Sequence, residues 1–276
     1  MTDAEPTRAC VDRLRRRLYL HARALAPTRG AAEAVLGAAI LRLDAAHGAE
    51  TAEAFLARAD AAVREAAVEF RATDQRLRLG GNLFAQICAT VHESLAVADA
   101  RPGVLADAVK SLDPPDRTLV HGAYELGETA AETARRMGLV GTQVERDLNR
   151  VHLKLVEYVA AAIPDGGPTS GPSAPEAIGR LVARLATGTL LADDVLVLES
   201  LLLGDAAGLA FYHRYMAVIG ELTWKFGGVP PLPDPPSPAL RAARISYREW
   251  AITVVFVSAC VAVAAFVGYV IWSYVK

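Results

Sequence analysis

Gln143, Arg146, Asn149, Arg150 and Lys154 fall close enough in register that a helix through them presents all five on one side. Amides bond base edges. Guanidinium and ammonium groups bond both base edges and phosphates. The chemistry open to this set is therefore recognition of a nucleic-acid duplex from its major groove. The plain alternative is the solvated polar face of an ordinary helical hairpin. Other chemistries find little footing. The chain has no phosphate loop of the G-x-x-x-x-G-K-[ST] kind, no nucleophile–base set and no paired-carboxylate site. Asp193 and Asp194 stand where they would open a helix and favour the positive end of its dipole. His21, His47, His92, His121, His152 and His213 are scattered singly, and Cys10, Cys88 and Cys260 share no ligand-like spacing. The expectation is a protein that is not an enzyme, with no metal and no cofactor.

The elements that must position the five residues can be read from the flanking pattern. Val144, Leu148, Val151 and Leu155 form an apolar stripe on the opposite side of the same helix. Thr142 is the expected N-cap. Gly138 supplies the break before it, since glycine takes left-handed geometry without a Cβ penalty. A preceding helix carries Thr129, Thr133, Ala134 and Met137 on one side. The result is two helices and a tight turn.

The residues Leu112, Pro115, Arg117, Leu119, Tyr124, Gly127, Glu132, Ala134, Gly138, Val144, Leu148 and Arg150 carry a wider likeness. The run from Ala108 to Leu155 resembles region 4 of sigma-70-type RNA polymerase sigma factors of the extracytoplasmic-function subgroup. That resemblance implies a helix-turn-helix domain over 104–160 that reads promoter DNA. Gln143, Arg146, Asn149 and Arg150 would face bases, Arg135, Arg136 and Lys154 phosphates, and Thr142 is a further DNA-binding residue. Glu145 and Asp147 stand at positions usually basic, and an acidic group there weakens attraction to phosphates.

Upstream, Arg8–Leu25, Ala31–Leu43 and Glu50–Arg71 read as three helices, with residues 1–10 frayed. Leu18, Ala22, Arg23, Leu25, Pro27, Arg29, Ala32, Glu33, Val35 and Leu36 match the pattern of region 2 in the same family. The resemblance implies a region-2-like domain over 8–78 that binds RNA polymerase core, with Glu33, Leu36 and Arg42 as contacts. Ala34, Gly37 and Ala38 replace polar groups of the family's docking surface, and Arg71, Arg76 and Arg78 echo its basic end. Residues 79–103 read as a less regular connector.

Pro164 to Pro175 is rich in Gly, Pro and Ser, a linker placed at 161–176. Residues 177–228 then give three more helices. Here Leu185, Gly188, Leu190, Asp193, Asp194, Leu198, Glu199, Leu201, Leu202, Asp205, Tyr212, Tyr215, Met216, Leu222 and Trp224 resemble the cytoplasmic N-terminal domain of ferric-citrate-regulator-type anti-sigma proteins. The resemblance implies a sigma-binding bundle whose partner is intramolecular or separate. Residues 229–240 are a proline-rich spacer. The segment 250–272 is the expected transmembrane helix. Ala251 to Ile271 holds no charge and would be about 31 Å long. Trp250, Trp272 and Tyr274 fall at its two interfaces. Arg241, Arg244 and Arg248 precede the span and only Lys276 follows it, which puts the N-terminal bulk in the cytoplasm of an inner (cytoplasmic) membrane.

Composition agrees with an all-α chain. It is 53% hydrophobic with little strand-type alternation, and its net charge of −2 makes any DNA contact local. The expected architecture is two small sigma-like helical domains, an anti-sigma-like bundle and one membrane helix. Two functions fit: a membrane-tethered sigma-like regulator with built-in anti-sigma-like control, or a non-DNA-binding membrane scaffold that docks or sequesters another sigma factor.

Overall fold

The computed structural model describes residues 4–45, 51–73, 79–92, 94–95, 103–162 and 172–227. The expected spacer at 229–240, the membrane segment 250–272, His47, Arg76, Arg78 and most of the 161–176 linker lie outside the described residues. Among the described residues every regular element is helical, and no helix is long and apolar enough to cross a membrane. In chain order these are α1 (Ala4–Leu25), α2 (Arg29–Ala45), α3 (Ala52–Thr73), α4 (Gly81–Thr90), α5 (Val104–Ser111) and α6 (Pro114–Val120). A π-helical turn (His121–Glu125) continues α6, and α7 (Ala130–Met137), α8 (Gly141–Ala161), α9 (Pro175–Thr187), α10 (Ala192–Leu202) and α11 (Ala206–Phe226) come after it. All belong to one compact unit.

The physical centre is α11. Tyr212, Tyr215, Met216, Ile219 and Leu222 are buried on successive sides of it, as are Gly208, Ala210, Val218 and Thr223. A helix apolar all round needs neighbours all round. Here they are α1, α4, α8, α9, α10 and the π-helical turn. Gly220 allows the approach of α1, because a Cβ there would lie 2.7 Å from Leu20 Cδ2. The Tyr212 hydroxyl donates to the Ala24 carbonyl at 3.0 Å, and Arg16 pairs with Glu221. Asp205 caps α11 by accepting from Ala207 N–H at 2.9 Å.

The spacing predicts α1 as a basic helix with Val11, Leu14, Leu18 and Leu25 inward and Arg13, Arg15, Arg16 and Arg17 outward, and the structure buries its second half on every side. The helix starts at Ala4, inside the stretch expected to fray, and the chain is buried from Leu18 to Ala26. The reason is that α2 and α3 cover one side and α11 the other. Its arginines are correspondingly engaged: Arg17 with Asp60 at 3.1 Å, Arg15 over the Trp224 ring, Arg23 with the Pro27 carbonyl. Burial pushes the Asp60 carboxyl up, but the hydrogen bonds and charges of His21 and Arg17 outweigh it and hold the group below the usual range. The connector is more regular than expected. Within it α4 buries Leu83, Phe84 and Ile87 against α1 and α11.

Candidate nucleic-acid interface

The helix pair begins with a capping box. Thr129 Oγ1 accepts from Glu132 N–H at 3.2 Å, and the Glu132 carboxylate accepts from Thr129 N–H at 2.7 Å. Helix α7 ends at Gly138, at φ +69°, in the left-handed geometry expected of it. The turn to α8 is three residues, Gly138 to Val140. Thr142 is not the cap: α8 already starts at Gly141, Val140 occupies the capping position, and no side chain closes the helix end. Thr142 sits instead, exposed, in the first turn.

The apolar stripe lies where the spacing puts it. Val144, Val151 and Leu155 are buried, and Leu148 packs against them half-buried. On the outer side Thr142, Gln143, Arg146, Arg150 and Lys154 are exposed. Arg146, Arg150 and Lys154 recur every four residues, so they form one row.

Two members of that row are held by carboxylates. Arg150 donates to Asp116 at 2.9 Å and lies 3.5 Å from Asp147. Lys154 donates to the same Asp116 at 2.7 Å and lies 3.9 Å from Asp113. Asp116 is only 3% exposed. It thus fastens α6 under the outer edge of α8. Arg136, expected to face phosphate, is held by Glu128 through bonds of 2.9–3.0 Å from Nε and Nη2. The hydrogen bond from Arg136 keeps the Glu128 carboxyl below its usual range. Gly122 leaves the space this guanidinium fills. Arg135 is exposed on α7.

Asn149 is not with the others. It is half-buried, and its Oδ1 accepts from the Tyr215 hydroxyl at 2.6 Å. His152, one turn further along α8, is buried between the Tyr124 hydroxyl, 2.8 Å from Nε2, and the Tyr215 hydroxyl, 3.1 Å from Nδ1. The proton positions follow from counting donors. Tyr215 has one hydroxyl hydrogen and gives it to Asn149, so its oxygen accepts from His152 Nδ1–H. His152 Nε2 is then the acceptor for Tyr124 O–H. The chain Tyr124, His152, Tyr215, Asn149 is a directed relay around a neutral imidazole. Burial lowers the His152 pKa to about 4, in keeping with that neutrality.

Of the residues expected to meet polymerase, Leu36 is 3% exposed and belongs to the core between α1 and α3, so its side chain offers nothing to a surface partner. Glu33 pairs with Arg29 at 2.8 Å and Arg42 with Glu69, both at the surface. Among the described residues no group of histidines, cysteines and carboxylates is arranged to hold a metal ion. Sequence reasoning missed Asp116, Tyr124 and the inward place of His152. One signal was present: position 152 lies four residues after Leu148 and three before Leu155, inside the apolar stripe.

Comparison with protein-family models, with curated proteins and with solved structures finds no match to this chain.

Proposed function

We propose that this chain is a membrane-tethered, sigma-factor-like transcription regulator. In this reading α7 and α8 bind promoter DNA, the N-terminal helices engage RNA polymerase core, and residues 177–228 exert anti-sigma-like control from within the same chain. The observation that carries it is the outer row of α8: Gln143, Arg146, Arg150 and Lys154 stand exposed beside Arg135, with the apolar stripe sealed beneath. Guanidiniums on an outward helix after a short turn suit a major groove. The test is chromatin mapping with polymerase co-purification, using the full chain against Arg146→Ala and Arg150→Ala. Discrete mapped sites lost in both variants support the proposal, and absence of both sites and polymerase overturns it.

A second reading is favoured by the same geometry. Asp116 engages Arg150 and Lys154, Glu128 engages Arg136, and Tyr215 engages Asn149. Four of the eight expected DNA contacts therefore already have protein partners. On that reading the chain is a scaffold that docks or sequesters another sigma factor at the membrane. Co-purification of a sigma factor with full chain that lacks DNA sites decides for it.

A further inference from the structure

We infer that Tyr215 masks Asn149, so that the folded chain is closed to base reading at this position and α9 and α11 act as an internal cover over α8. The inference rests on the DNA-binding reading above. An asparagine amide identifies adenine by accepting at Oδ1 and donating at Nδ2 together. In this structure one of the two lone pairs of that acceptor is taken: the Tyr215 hydroxyl donates to it at 2.6 Å, as an adenine amino group would. The cover is steric as well as chemical. A Cβ on Gly179 would lie 3.0 Å from Asn149 Oδ1, 3.1 Å from Leu153 Cδ2 and 3.1 Å from Tyr215 Cε2. Helix α9 therefore lies directly across this part of α8, where a groove wall would have to pass.

The relay makes the closed arrangement self-sufficient. Tyr124, His152, Tyr215 and Asn149 satisfy one another in a single direction, and His152 and Tyr215 are both fully shielded. Thr142, Gln143 and Arg146, one to two turns nearer the start of α8, stay outside the cover. The closed chain thus leaves Gln143 and Arg146 open to bases and withholds Asn149, so it reads a site incompletely.

The test uses full chain in detergent and a randomised DNA duplex pool as probe. Gly179→Leu drives a wedge into the α8–α9 seam. Hydrogen exchange over residues 149–156 reports opening independently of DNA. The expected result is exchange at least about tenfold faster and, after selection, affinity for the enriched duplex raised about tenfold, the scale of one bidentate base contact. The selected sequence should contain an adenine whose preference disappears when Asn149→Ala is added. If the seam opens and wild type binds the same duplex equally well, masking is wrong while DNA reading stands. If the seam opens and neither chain binds, the DNA-binding reading fails and the inference with it. Should the wedge unfold the chain, Tyr215→Phe keeps the ring and removes only the hydroxyl. A rise of about threefold in affinity then supports the mask, and unchanged affinity and unchanged base preference overturn it.

Discussion

At the scale of single residues, the buried histidines set the response to acid. Burial lowers His152 to about 4, and burial with smaller contributions from His92 and His21 lowers His213 to about 3. His213 Nε2 lies 2.9 Å from Thr90 Oγ1, whose own hydrogen goes to the Gln86 carbonyl, so the ring donates there and accepts from Ser94 at Nδ1. Both rings are neutral in the folded chain and become charged more easily when it unfolds. Below the ordinary histidine pKa of about 6.5 the unfolded state binds more protons, so stability falls as pH drops. Each histidine should remove about 1.4 kcal/mol per pH unit, from about 6.5 down to about 4 for His152 and about 3 for His213. Thermal melts at pH 7.5, 6 and 5 should show the decline, and His152→Gln should make it shallower. Asp116→Ala is expected to cost only about 1 kcal/mol, since Arg150 and Lys154 are half exposed and rehydrate. On the proposed DNA-binding function, it should also steepen the salt dependence of that binding by about one to two phosphate equivalents, measured by titration in rising salt. Arg150 and Lys154 were legible as an outward cationic row because helical period alone fixes direction. Asp116 as their partner was not, because it comes from another element and no local spacing connects residues 116, 150 and 154.

At the scale of elements, the sequence places the Gly138 break correctly but reads Thr129 as part of the helix, where the structure has it as the N-cap. Thr129 and Glu132 close α7, and Gly138 and Gly188 end α7 and α9 in left-handed geometry. Thr129→Ala should lower stability by about 1 kcal/mol, read as a shift in the urea midpoint with unchanged slope. Gly138→Ala should cost a similar amount, about 1 kcal/mol, by forcing a Cβ into left-handed backbone. The start of α8 was placed too late because Thr142 is a good cap by type, yet the chain turns at Val140 with no side-chain cap. The sequence reads α4 as connector although Leu83, Phe84, Ile87 and Val91 fall at helical spacing, because ten residues opening on the Gly80–Gly81 pair make a marginal helix alone. Its helical state comes from Leu83, Phe84 and Ile87 docking on helices distant in sequence. The same holds for α1: period alone assigns Arg15, Arg16 and Arg17 to an outward face, and carries no sign of the second neighbour, α11, that covers part of it.

At the scale of the whole molecule, the segments 8–78, 104–160 and 177–228 share one core through α11. The described unit should therefore melt in one cooperative transition, with calorimetric and van't Hoff enthalpies equal. Cleavage engineered within 163–171 should leave the two pieces bound to each other under native conditions, eluting together on size exclusion. The helical class was readable from composition and period. The shared core was not, because the Gly/Pro/Ser stretch before Pro175 has only the composition of a linker. It carries no signal as to whether α9, α10 and α11 pack back on the helices before it. The central place of α11 also bears on synthesis. The side of α1 that α11 covers is translated some two hundred residues before its cover. At ribosomal speeds of about 5–20 residues per second, that surface stays bare on the order of ten seconds or more. A nascent chain in that interval is therefore open to aggregation through the bare side of α1.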